Sequence, residues 1–484
     1  MLAAMGSGSR RVGVVLAVAL ILAAASPVRA AVWSVQPTPF SGIVSAVSCV
    51  STACTAVGGV GAGTGAMGWD GRRWRLQATP DSGPASEGSL AGVSCTSSKN
   101  CVAVGEYLQS LDYDPGAMHT VPVNMPLAEH WNGTGWSLLP FPNLPPDAQQ
   151  GGLDAVSCTS GSACEAVGKF FDGSAGGLFA ERWDGSSWSL ESMPDPAPPA
   201  SISQPGTFIN GLSLSCSSGS FCTAVGGYYL NSGGGQSFAE RWDGSSWSLE
   251  ASLEIAGAFD TQLMGVSCTS PSACSAVGDY NPSSSRPLQR TLAERWNGTS
   301  WSVERIPNAS GGSNELFGVS CISSRACVAV GVSNLNLGIP QALVERRDGS
   351  TWSVERTTSA GGALLQAVSC TPSTICTAVG NPPRGDVVAE QSAPANAKLT
   401  GIPAACTSAG FTVRVTGAGI SSVTWSLDSK TIKGRSVHRG TQYAASIRLS
   451  PGRHKLTVKV KFTASSQTHA LTFRREVLGC TPAH

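Results

Sequence analysis

Apolar and polar positions alternate along most of this chain in short runs, the period of a strand with one buried face, and turn residues interrupt the runs. Two kinds of run recur in fixed order. The first reads LDAVSCTSGSACEAVG, LMGVSCTSPSACSAVG or LFGVSCISSRACVAVG, two apolar stretches around a Ser/Thr-rich bend, and predicts a β-hairpin. The second reads FAERWDGSSWSLE, LAERWNGTSWSVE or LVERRDGSTWSVE, strands joined through Asp-Gly or Asn-Gly, the strongest short hairpin signal. Trp183 and Trp188 flank one such turn, as do Trp242 with Trp247 and Trp296 with Trp301, placed to pack across the hairpin. Two hairpins make four strands, and a repeated four-stranded unit predicts a propeller blade.

The cysteines count the blades. The first of each pair falls at Cys49, Cys95, Cys158, Cys216, Cys268, Cys321 and Cys370, and its partner at Cys54, Cys101, Cys164, Cys222, Cys274, Cys327 and Cys376. Each pair sits at the two ends of a bend, so one disulfide ties each hairpin. Only six tryptophan hairpins are complete, because the seventh unit stops at VVAEQ, residues 387–391. Its outer strand is expected from Ala31-Val32-Trp33-Ser34-Val35, which copies the WSVE text of the others. The reading is all-β: a seven-bladed propeller over residues 31–395, closed by its N-terminal strand so that no sheet edge stays open. Beyond it, residues 396–484 alternate as FTVRVTG, SVTWSLD, YAASIRL, HKLTVKVKF and ALTFRREV, a small immunoglobulin-like β-sandwich closed by Cys406 and Cys480.

WDGSSW and WNGTSW resemble the Asp-box of sialidase-like (BNR-type) exported β-propeller proteins of bacteria, although that box has one more residue between its Asp and Gly. The likeness covers about a dozen residues per blade. It implies architecture and no one activity, since such families include both glycosidases and non-catalytic binders. The C-terminal segment is similar to bacterial immunoglobulin-like domains in architecture alone.

The first thirty residues carry an export signal: basic Arg10 and Arg11, an apolar run from Val12 to Ala25, and the small-residue site Val28-Arg29-Ala30. That run is too short to span a bilayer, so no transmembrane segment is expected after its removal. Sixteen cysteines in an exported chain read as eight disulfides, which places the protein outside the cytosol, secreted or at the cell surface. A net charge of +1 gives no reason to expect nucleic acid as a partner. It conceals a division, with thirteen basic residues against two acids from residue 397 onward and sixteen against twenty-nine over residues 31–396. The basic sandwich therefore suggests attachment to an anionic cell-wall polymer or to lipid headgroups.

Candidate chemistry lies in the loops that vary. The cysteine bends and Asp-Gly turns share one face of a propeller and are nearly uniform, whereas the connections after AVG and after WSLE share the other. Binding residues are expected on that variable face. They are Tyr107, Asp112, Tyr113 and Asp114 in blade 2, Phe171 and Asp172 in blade 3, Tyr228 and Tyr229 in blade 4, and Asp279 and Tyr280 in blade 5. Aromatics mixed with acids suit a glycan or a peptide. Glu129, Glu181, Glu240, Glu294, Glu345 and Glu390 recur at one repeat position, which reads as structural, as partners for neighbouring Arg or for turn donors. No Gly-x-Ser-x-Gly, His-Glu-x-x-His or phosphate-binding glycine loop is present, so no cofactor, metal or catalytic residue is assigned. The resulting expectation is a non-catalytic binding or scaffolding protein, with a glycan-active hydrolase or lyase using carboxylates on the variable face as the alternative.

Overall fold

The computed structural model describes residues 31–480 apart from 81–86, 115–118, 174–175, 197–208, 230–233, 251–254, 285–287, 310, 337, 356, 358–361, 373–374, 383–386, 395, 404, 409, 419, 439–441 and 463–470. The export signal lies outside that range. Strands account for all the regular structure described, and they form nine four-stranded antiparallel sheets.

Seven of the sheets are blades in which consecutive strands pair from the axis outward. Blade 3 is the pattern: Gln150–Ser160, Ala163–Phe171, Gly176–Trp183 and Trp188–Ser192. The seventh blade is made of Leu364–Cys370, Cys376–Asn381, Val388–Pro394 and, on its outer edge, the first strand of the chain, Ala31–Gln36. Trp33 lies opposite Ser392 there and is 1% exposed.

Two sets of hydrogen bonds explain why the motifs repeat. The serine of each VSC accepts the backbone N–H of the first cysteine in the next blade: Ser157 from Cys216 at 2.9 Å, Ser215 from Cys268 at 2.9 Å, and Ser369 of the last blade from Cys49 of the first at 2.9 Å. The same bond links all seven blades, so it runs unbroken around the ring. The second set joins outer strands. The glutamate of WSxE accepts the indole N–H of the next blade's tryptophan, as in Glu250 with Trp301 at 2.9 Å, Glu304 with Trp352 at 2.8 Å and Glu355 with Trp33 at 2.8 Å. Trp33 is thus held by the same device that joins complete blades.

The turn residues do local work. In five blades an Asp or Asn side chain accepts two backbone N–H groups across the hairpin turn; Asp184 Oδ1 takes those of Ser186 and Ser187 at 2.7 and 2.8 Å. The following Gly185 sits at φ 100°, a conformation that disfavours any side chain. All eight expected disulfides are present, seven tying blade hairpins and Cys406–Cys480 tying the C-terminal segment. So dense a set of cross-links persists in an oxidising compartment outside the cytosol.

The last two sheets form a sandwich. One contains Asn396–Thr400, Phe411–Ala418, Gln442–Ile447 and Gly434–His438; the other contains Lys430–Ile432, Ile420–Leu427, Gly452–Phe462 and Leu471–Gly479. Val413, Val415 and Ile447 of the first pack with Trp425, Leu456 and Val458 of the second in one apolar core.

Candidate functional site

Each second strand of a blade carries Ala-Val-Gly. The glycine is required, because a Cβ on Gly168 would collide with the carbonyl oxygen of Gly152 in the innermost strand. The next position escapes that constraint and differs from blade to blade: Gly59, Glu106, Lys169, Gly227, Asp279, Val332 and Asn381. Each pairs with the equivalent residue of its innermost strand, for example Glu106 with Ser89, Lys169 with Gly152, and Asp279 with Gln262. These positions therefore stand at one height around the axis, at the mouth on the variable side.

Just below them the innermost strand slips by one residue in every blade, as between Leu153 and Ala155 or Leu263 and Gly265. A bulge of this kind re-aims the extra side chain. In blade 3 that residue is Asp154, which lines both the central space, about 250 Å³ in volume, and a cleft of about 350 Å³ between blades 2 and 3. Lys169 Nζ lies 3.0 Å from Asp154 Oδ1 and also donates to the Ile209 carbonyl at 3.4 Å. Glu106 faces them across the cleft from blade 2. Gly152 makes room for it, since a Cβ there would lie 2.7 Å from Glu106 Oε2. Burial, and then the neighbouring Asp154, push the Glu106 carboxyl above its ordinary range, against the opposing pull of Lys169 and a hydrogen bond from Asn124. Burial raises Asp154 as well, and Lys169 offsets part of that rise.

The cleft opens past Ser89, Glu106 and Asn124 into a second of about 580 Å³, which Tyr107, Leu108 and Leu111 also line. Phe170 and Phe171 line the first cleft as well. The two clefts share Glu106 and so form one groove lined by that carboxyl and by aromatic side chains.

Across the mouth, blades 5 and 6 bring together Asp260, Asp279 and Glu315. Burial, then Glu315 and Asp260, raise Asp279 well above the carboxylate range. Gln262 donates to the Tyr229 hydroxyl and to Asp260 Oδ1, the latter at 3.3 Å.

The structure divides the residues expected from the sequence. Tyr107 and Phe171 line the groove. Asp112 lies on the strand Asn100–Asp114, which pairs with His119–Trp131 as far as Asp114 opposite His119. The blade 2 segment is thus a long hairpin and not the open loop expected. The side chains of Tyr113 and Asp114 lie outside the described part. Asp172 is half-buried and lines neither cleft. Tyr228 is corrected from ligand-binding to core: it is 7% exposed, packs with Phe238 and donates to Gln236 at 2.6 Å. Asp279, 5% exposed, belongs to the packed side of the mouth, and Tyr280 packs against the blade 5 core. The reading overlooked Asp154, Lys169 and Glu315. Lys169 was signalled as the variable residue after Ala-Val-Gly, Asp154 as the acid inside the otherwise apolar LDAVSC, and Glu315 as the acid preceding LFGVSC.

The recurring glutamates also need correction in part. Glu181 does accept a turn donor, the Asn143 N–H at 2.7 Å. The arginines beside them pair instead with the WSxE glutamates, as Arg182 does with Glu191 at 2.9 Å and Arg346 with Glu355 at 2.6 Å. Adjacent residues of a strand point to opposite faces, so Glu181 goes inward and Arg182 outward. Burial pushes the inward carboxyls up, Glu129, Glu181 and Glu294 to about 7, Glu240 to about 8 and Glu345 to about 9.

The fold and mouth define the class: a disulfide-tied β-propeller with a carboxyl-bearing groove on its variable face. No family model and no curated protein matches the chain. Among solved structures it is similar to the GH74 xyloglucanase of Xanthomonas campestris, with 14% identity, TM-score 0.47, and coverage of 81% of this chain and 60% of that one. It is similar to the polysaccharide lyase Uly1, with 8% identity, TM-score 0.46, and coverage of 73% and 90%. The α-L-arabinanase of Penicillium chrysogenum, complexed with arabinobiose, shows 9% identity, TM-score 0.41, and coverage of 63% and 93%. The chain thus spans less than two thirds of the xyloglucanase.

The expectation that this protein is no enzyme is corrected. It rested on the want of a catalytic constellation, whereas the mouth holds buried acids in two groups, Glu106 with Asp154 and Asp279 with Asp260 and Glu315. The solved structures just named are those of enzymes, and at these identities the likeness is one of fold.

Proposed function

We propose that this protein is an exported glycan-active hydrolase or lyase that works at the groove between blades 2 and 3. One observation carries the reading: Glu106 and Asp154 approach one cleft from neighbouring blades, and only Asp154 has a cation in contact. Burial raises both carboxyls, but Asp154 has an ammonium at ion-pair distance that favours its charged form, and acids with different neighbours are suited to opposite roles. Glu106, raised by burial, is the proton donor; Asp154, held beside Lys169, is the carboxylate that acts as base or nucleophile. Tyr107 and Phe171 give stacking surfaces for sugar rings on either side. In this reading residues 1–30 are the export signal, the Asp-box-like propeller of residues 31–395 is the catalytic unit, and the immunoglobulin-like residues 396–484 are an accessory domain.

The test is incubation of the whole protein with a panel of neutral and acidic polysaccharides. New reducing ends would report hydrolysis, and ultraviolet absorbance of an unsaturated sugar would report elimination. Glu106→Gln should lower the rate by about 10²–10⁴-fold, the usual worth of a positioned acid, with melting unchanged or raised. Turnover that survives both Glu106→Gln and Asp154→Asn would remove this groove as the active site.

A further inference from the structure

The outward face of one sandwich sheet combines charge and geometry unlike anything on the propeller. In Gly452–Phe462 the side chains of Leu456, Val458 and Val460 are buried, so those of Lys455, Thr457, Lys459 and Lys461 alternate to the opposite face. Arg453 joins them at the strand's start. Cross-strand partners share a face, which adds Arg474, opposite Thr457, and Glu476, opposite Lys455. On the other flank Thr424 stands opposite Lys459 and Ser426 opposite Thr457. The face thus carries five cations and one acid, Glu476, which lies 3.6 Å from Arg453 with both side chains exposed. Asp428 is turned to other use, binding His454 at 2.6 Å and the Lys455 backbone N–H at 2.8 Å.

We propose that this face is a binding site for a linear polyanion, a chain with anionic groups at regular intervals. Residues two apart on a strand are about 6.8 Å apart, so Lys455 and Lys461 span about 20 Å in a line. Hydroxyl groups fill the intervals, and the middle of the face carries no large apolar side chain for insertion into a bilayer. That pattern suits a polymer lying along the strand and not a lipid surface. The acidic residues in excess on the propeller repel the same ligand, so they confine it to the sandwich.

The test uses the whole protein with inorganic polyphosphate and with polygalacturonate as probes, at about 50 and about 200 mM salt. Binding to either supports the site, and the stronger one identifies the anionic group. With four ion contacts, at the coefficient of a single-stranded phosphate backbone, this rise in salt should weaken binding about fiftyfold. The variant Lys455→Gln/Lys459→Gln/Lys461→Gln/Arg474→Gln should lose binding by a similar factor or more. Lys398→Gln/Arg414→Gln/Lys433→Gln/Arg435→Gln removes the same charge from elsewhere on the sandwich and should change it little. Equal weakening by both variants would overturn the assignment to this face. So would tighter binding to anionic vesicles than to either polymer, or failure of the unaltered protein to bind either polymer at low salt.

Discussion

The two ends of the propeller are built by the same strands under different constraints. At the end of the cysteine bends, each blade must hand its neighbour the same contacts: a serine for a cysteine N–H, a disulfide across the hairpin, and in five blades an Asp or Asn clamped over its own turn. At the other end no bond has to be repeated, and the equivalent residues range from glycine to Glu, Lys and Asp. Concentrating closure at one end leaves the other free to carry charge that would be costly in a shared interface. The expectation follows that changes in the repeated positions alter stability and spare activity, and that Glu106 and Asp154 behave in the opposite way.

The largest effect should come from Trp33. It is fully buried, donates to Glu355 in the preceding blade and packs with Val328, Val330 and Val344 there, while its own strand pairs with the seventh sheet. Trp33→Ala should cost about 3–5 kcal/mol by the usual figure for a buried aromatic, read as a fall in the denaturation midpoint. Residual activity at low temperature should match the parent's. A loss below about 1 kcal/mol would mean that the ring does not depend on its first strand.

A smaller effect of opposite sign is expected at Glu294, one of the recurring inward glutamates. Its carboxyl is 1% exposed, neither oxygen has a hydrogen-bond partner among the described residues, and burial raises it from 4.5 to about 7. The folded state then holds a proton that the unfolded chain releases earlier. Stability from this group is therefore full below about pH 4.5, falls as pH rises toward 7, and is level above that. Glu294→Gln should remove the dependence and gain on the order of 3 kcal/mol at pH 9. Denaturation at pH 4 and pH 9 gives the comparison, and a variant less stable than the parent at both would refute it. The contrast with Glu106 is instructive: both carboxyls are raised by burial, but only Glu106 opens onto a cleft.

Much of this was legible in the chain. The blade count, the disulfides and the borrowed strand at Trp33 could be read because one residue type repeats wherever one contact repeats. The groove was harder. Asp154 lies in a strand whose alternation is broken by a one-residue slip, so its direction could not be taken from the pattern. Lys169 is hidden in AVGKFF, where it reads as one more strand residue. The blade 2 segment read as a loop because Asp112 and Asp114 are poor strand formers, but its pairing with Val121 and His119 overrides that preference. Tyr228 and Tyr229 are neighbours on a strand and so face opposite ways, one into the core and one toward the mouth.

The smallest effect expected tests the ring itself. Ser157 Oγ accepts the Cys216 N–H at 2.9 Å, and its counterparts do the same around the circle. Ser157→Ala leaves that N–H without its partner, at a cost of about 1 kcal/mol. Because the bond crosses from blade 3 to blade 4, its loss should also be felt locally. Hydrogen exchange should speed up at Cys216 and its strand neighbours while blades 6 and 7 keep their protection. Sites this far apart act independently in a closed ring only if each interface stands alone. Ser157→Ala combined with Ser320→Ala, whose bond joins blade 6 to Cys370, should therefore cost the sum of the two single changes. A double variant costing clearly more than that sum would mean that the blades fail together, and the independence of the two ends would then have to be argued from the whole ring and not from its joints.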